Sequence, residues 1–182
     1  MAELTSSRAL EGPGLTIVED RPLLSVLRLH NASDAKVENL GLALQLDWPS
    51  AANTLAGNTE IEVCCVGPRE WVVIGLAHEA LCDRLNGALD GTLHHIADMS
   101  GAWTRWRIRG DEAPLLLAKG CSLDLSAMRA GQDCARILLG QFNILLERHQ
   151  AEWALYAERA LADQAWAWLE RAGQEFAGEK VS

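Results

Sequence analysis

The chain has 182 residues, 49% of them hydrophobic, which suffices for one full-sized core but not for two large independent domains. A formal charge of -9 argues against nucleic-acid binding, because neutralising phosphates takes clustered Lys and Arg. Five cysteines, at 64, 65, 82, 121 and 134, make an odd count without C-x-x-C spacing, so reduced and mostly buried thiols are expected rather than a disulfide or zinc framework. No window approaches the ~20 apolar residues of a membrane helix and the first twenty residues lack a signal-peptide core, which together predict a cytoplasmic protein.

Taken in order, residues 1–14 read as a flexible arm ending in the turn Gly12-Pro13-Gly14, and ordered structure is expected from Leu15. After Pro22, Leu23 to Leu29 alternates as a half-buried strand does. Asp34 to Leu46 is ambiguous: Val37, Leu40 and Leu44 suit a helix, whereas Gly41 and the alternation of Leu42, Leu44 and Leu46 suit a strand. Trp48-Pro49 closes that segment. Glu60 to Gly67 and Trp71 to Gly75 form a strand pair around the turn residues Gly67-Pro68-Arg69-Glu70. From Ala77 to Leu89 the four-residue recurrence of Ala77, Leu81, Leu85 and Leu89 predicts an amphipathic helix, stopped near Gly91.

Strands are expected near Leu93 to Met99 and from Ala102 to Arg109. In the second, Thr104, Trp106 and Ile108 form the core face, and Trp103, Arg105, Arg107 and Arg109 the other. Asp111 is placed to cap a short helix with Pro114 in its first turn, and Gly120 to end it with a positive φ. Three further strands, around Ala135 to Leu139, Phe142 to Glu147 and Glu152 to Ala157, lead to a last helix that buries Leu161, Ala165, Trp168, Leu169 and Ala172. The whole predicts an α+β fold of antiparallel sheets packed by helices. The domain is expected to span 15–173, with 174–182 as a tail.

Residues that could carry chemistry each have a structural reading beside the functional one. Neither G-x-G-x-x-G nor G-x-x-x-x-G-K-[ST] occurs, so no phosphate cradle is expected. His94 and His95 are adjacent in a strand and diverge, unlike i, i+2 strand neighbours, so no metal site is expected there. Asp98 and Ser100 share a strand end, either as an acid–base pair or as a carboxylate closing a turn; the turn is favoured. Cys121 sits beyond a helix C-terminus, which raises rather than lowers a thiol pKa. The Arg105, Arg107 and Arg109 stripe, with Trp103 beside it, suits either an acidic partner or water.

Four blocks resemble the gamma subunit family of heterotetrameric sarcosine oxidase, whose fold is similar to the folate-binding domain of aminomethyltransferases. They are Gly67-Pro68-Arg69-Glu70-Trp71; Ala97-Asp98-Met99-Ser100; Leu117-Ala118-Lys119-Gly120-Cys121-Ser122-Leu123-Asp124-Leu125; and Tyr156 through Arg159 to Trp166, Trp168 and Leu169. The third is the most specific, and all four stand in the family's order. One departure is Ala160, where the family tends to have Ser.

The resemblance implies a non-catalytic subunit of a complex that demethylates sarcosine oxidatively to glycine, passes the one-carbon unit to tetrahydrofolate and produces hydrogen peroxide. It further implies alpha, beta and delta partners. FAD, FMN, NAD and the folate site would lie on alpha and beta, zinc on delta, and none on this chain. Trp71, Asp98, Lys119, Gly120, Cys121, Asp124 and Arg159 match motif positions and are assigned folding or interface roles, as are Trp103, Arg105 and Arg107. A free-standing folate-binding protein, a subunit of a related dimethylglycine demethylase and a plain scaffold stand as alternatives.

Overall fold

The computed structural model describes residues 8–30 and 33–177. Alternation of apolar and polar positions produces β1 (Ala9–Gly12), β2 (Leu15–Asp20), β3 (Leu24–Leu29), β4 (Thr54–Gly57), β5 (Glu62–Gly67), β6 (Glu70–Ile74), β7 (His94–Asp98), β8 (Trp103–Arg109), β9 (Cys134–Leu139), β10 (Phe142–Arg148) and β11 (Glu152–Glu158). Longer periods give the helices α1 (Asp34–Leu44), α2 (His78–Leu89), α3 (Ala113–Ala118) and α4 (Ala162–Ala177). The strands form a six-stranded sheet, β1-β2-β8-β11-β10-β9, and a five-stranded sheet, β4-β5-β6-β3-β7. Every pairing within them is antiparallel.

Each sheet buries one face under helices and the other against its neighbour, giving four layers. Leu15, Ile17, Trp106, Ile108 and Leu155 pack against α3 and α4 through Leu116, Leu117, Ala165 and Leu169. Leu27, Val63, Trp71 and Val73 pack against α1 and α2 through Leu40, Leu44, Leu81 and Leu85. Between the sheets, Leu24, Cys64, Val72 and Ile74 meet Cys134, Leu145, Ala154 and Tyr156. The neighbours Cys64 and Cys65 thus serve two different cores, as opposite strand faces require.

The ambiguous segment is a helix. Ser33 caps α1 by accepting from the Lys36 amide, Asp34 lies in its first turn, and Gln45 ends it in the left-handed region at φ 57°. Gly41 does not break it. A Cβ there would meet the Leu46 carbonyl at 2.7 Å and Trp48 Cβ at 3.1 Å, so glycine lets the chain fold back over its own last turn.

Four expectations are corrected. Ala9–Gly12 is a strand paired with β2, and Pro13-Gly14 is the turn joining the two, so Gly12-Pro13-Gly14 does not end a loose arm. Residues 1–7 of the expected arm lie outside the described residues. The last helix continues to Ala177, past the expected boundary at 173, because Phe176 still packs on the core; 178–182 lie outside the described residues. Asp111 does not cap α3; Glu112 holds that position, without a side-chain bond, and the Glu112 amide donates to the Gly14 carbonyl. Gly120 does not need a positive φ. It is glycine because a Cβ there would stand 2.6 Å from the Trp168 ring and 2.8 Å from Leu139.

Candidate functional site

Where β10 faces β5 across the sheet interface, the alternation that buries Leu145 also turns Glu147 inward. Glu147 is fully buried, yet both of its oxygens have partners. The Cys64 thiol donates to Oε1 at 2.9 Å, and the Tyr156 hydroxyl donates to Oε2 at 2.8 Å. His149, two residues on and therefore on the same side of the strand, brings Nε2 to 3.1 Å from Oε2. Its other nitrogen, Nδ1, lies 3.4 Å from Glu62 on β5. A carboxylate near each ring nitrogen favours the imidazolium form, in which both nitrogens can donate. The Glu147 hydrogen bond accordingly raises the His149 pKa above its usual range, against the opposing effect of burial. Burial, and then the Glu147 charge, raise that of Glu62. Burial likewise pushes Cys64 and Tyr156 well up, so both remain protonated donors.

Glu62, Glu147 and His149 each place a potential ligand atom within 4.8 Å of the others, a spacing that could hold a metal ion. A metal ion and an imidazolium are alternatives there, because a coordinating imidazole nitrogen must first lose its proton. As it stands the cluster ties the two sheets together: Glu62 and Cys64 come from one, Glu147 and Tyr156 from the other. The sequence reading passed over this cluster. Its signal was Glu147-Arg148-His149, an i, i+2 pair ending an apolar strand.

The arginine stripe stands near the same interface but is not a free cationic face. Arg105 is held by both oxygens of Asp20, at 2.6 and 2.8 Å, with its guanidinium 5.9 Å from the Tyr156 ring centre. Burial alone would work against its charge, and the Asp20 and Tyr156 contacts more than compensate, so its pKa is raised. Arg107 reaches Asp20 at 3.2 Å and Glu152 at 3.5 Å, and Arg109 donates to Glu152 at 2.6 Å. Two carboxylates thus pair with three arginines within the sheet.

The motif residues are distributed rather than convergent. Trp71 donates its indole N–H to the Pro49 carbonyl at 2.7 Å and meets Trp48 edge-on at 5.4 Å. Asp98 accepts from the Ser100 amide at 3.0 Å, the turn-closing role, while Ser100 Oγ accepts from the Leu24 amide at 2.9 Å. Trp103 packs half-buried on the inter-sheet core. Lys119 bonds the Ala172 carbonyl at 2.6 Å, pairs with Glu175 and lies 4.4 Å from the Phe176 ring centre, pinning α4. Cys121 is a free, half-buried thiol against the outer core. Asp124 closes a 3₁₀ turn by accepting from Ser126, whose hydroxyl and amide lower its pKa. Arg159 is exposed, and its amide donates to the Ala102 carbonyl at 2.8 Å. His94, on exposed β7, is 2.8 Å from the Thr92 carbonyl.

Comparison with known proteins gives this distribution its context. Residues 28–175 match the model of the sarcosine oxidase gamma subunit family. The chain belongs to that family. A sarcosine oxidase subunit gamma from Corynebacterium sp. (strain U-96) is 27% identical over 146 residues, covering 79% of this chain and 71% of that one. A chain of the heterotetrameric sarcosine oxidase from Corynebacterium sp. U-96, solved with pyrrole 2-carboxylate, superposes with a TM-score of 0.82 at 24% identity, over 96% of this chain and 91% of that chain. Aminomethyltransferase T of the glycine cleavage system from Bartonella henselae shares the fold more distantly, with a TM-score of 0.59 at 13% identity, over 82% of this chain and 43% of that one. The expected likeness to aminomethyltransferases therefore holds for the fold. Among the described residues, no helix is long and apolar enough to cross a membrane.

Proposed function

We propose that this chain is the gamma subunit of a heterotetrameric sarcosine oxidase and contributes structure, not catalysis, to the complex. The complex would demethylate sarcosine to glycine, transfer the one-carbon unit to tetrahydrofolate and yield hydrogen peroxide. FAD, FMN, NAD and tetrahydrofolate would reside on the alpha and beta partners and zinc on delta. The observation that carries the reading is the family match across 28–175. It is supported by the motif residues, which here close turns, pin helices and fill cores instead of meeting at one point.

The test is co-expression of the tagged chain with candidate large subunits from its own genome, recording mass, flavin absorbance and sarcosine-dependent peroxide. A coloured heterotetramer that oxidises sarcosine is expected. A colourless single chain that ignores those subunits would overturn the proposal, and reduced-folate binding by it would favour the free-standing alternative.

A further inference from the structure

Beside α1, on the outer side of the five-stranded sheet, runs an open groove of about 1310 Å³. Leu42, 77% exposed, and Leu46 supply apolar contact along it, and Trp48 lines it as well. Leu42 has the highest exposure of the large hydrophobic side chains among the described residues. The charged side chains along the groove are Asp34, Glu38, Asp47 and Arg69. Arg69 is committed to Asp34 at 2.6 Å, which leaves Glu38 and Asp47 as exposed carboxylates. Among the described residues, the Trp48 indole N–H is also the buried side-chain donor that has no acceptor.

We infer that this groove docks a basic and apolar segment of a larger partner subunit, with apolar side chains against Leu42 and Leu46 and Lys or Arg beside Glu38 and Asp47. The inference rests on the subunit reading above and gives it a surface. The charge of the groove selects the occupant: cations complement two carboxylates that have no ion-pair partner among the described residues. A second copy of this chain is disfavoured by its formal charge of -9, which repels itself.

The test co-expresses the full chain with its large subunits and compares Glu38→Lys/Asp47→Lys and Leu42→Ser with Leu138→Ser, an exposed control on the edge strand β9. The groove variants are expected to lose at least tenfold in affinity, and the wild-type complex to weaken as salt is raised. Hydrogen exchange, which needs no variant, is expected to show α1 amides slowed in the complex relative to the free chain. Groove variants that assemble like wild type, with α1 exchange unchanged, would overturn the groove while leaving the subunit reading intact. A wild-type chain that binds none of the large subunits would overturn both. Self-association lost in the groove variants would overturn the partner in favour of a second copy.

Discussion

Replacing His149 with alanine withdraws the imidazolium from a fully buried carboxylate and leaves Glu147 with only the Cys64 and Tyr156 donors. Breaking a buried ion pair from one side costs about 3–5 kcal/mol. The lower end applies, because the His149 side chain keeps 20% of its surface in water. At about 2–4 °C per kcal/mol for a chain of this size, a loss of about 3 kcal/mol lowers Tm by about 6–12 °C. The pH dependence has a definite sign. The folded-state pKa of His149 is raised above its ordinary 6.5, so its contribution is complete below that value and fades as pH climbs through the raised one. Glu62, also raised, acts in the same direction from 4.5 upward. Urea unfolding followed by tryptophan fluorescence should therefore show His149→Ala differing from wild type more at about pH 6 than at about pH 9. Adding Glu147→Gln should recover part of the loss, since the stranded charge is then gone. Equal losses at both pH values, with no recovery in the double variant, would refute the ion-pair reasoning.

Gly120→Ala should destabilise by about 1–3 kcal/mol through overpacking against Trp168 and Leu139, measurable as a lower denaturation midpoint. Trp71→Phe keeps an aromatic side chain but loses volume in a buried site and strands the Pro49 carbonyl, and should cost at least about 1–3 kcal/mol in the same assay. A thiol reagent should label Cys82 and Cys121 in the native chain, and Cys64, Cys65 and Cys134 only after denaturation. Fast labelling of all five in the native state would contradict the burial described. Deleting the Lys119 side chain (Lys119→Ala) should loosen the end of α4, seen as faster amide exchange near Ala172 with the sheets unaffected.

Strands with clean alternation, such as β3, β8 and β11, were legible because period-two patterning and a buried face coincide in them. β1 was not, since a four-residue strand followed by Gly-Pro-Gly carries too little pattern to distinguish from a loose arm. β4 was missed for a similar reason: Thr54–Gly57 has one buried side chain, Leu55, and owes its place to β5. The helical state of α1 was decided by a cap and by the close return of the chain over Gly41, neither of which periodicity can register. The motif residues were recognisable by type and order, but their work as turn closers and clamps became visible only with their partners. Glu147 was hidden because one carboxylate at the end of an apolar strand looks like its solvent-facing terminus. Its burial depends on Cys64 and Tyr156, 83 and 9 residues away in the chain.

The strand order also carries a consequence for how the chain comes off the ribosome. The five-stranded sheet is drawn from one uninterrupted stretch, 24–98, whereas the six-stranded sheet joins β1 and β2 to strands that begin at 103. The first hairpin therefore waits, with the apolar faces of Leu15 and Ile17 uncovered, until β8 has been translated and can pair with β2. Pairings that span roughly ninety residues close slowly, and exposed strand edges invite aggregation in the interval. A nascent chain stalled before residue 103 would hold one nearly complete half-sandwich and an unpaired hairpin, the state that a chaperone would have to shield.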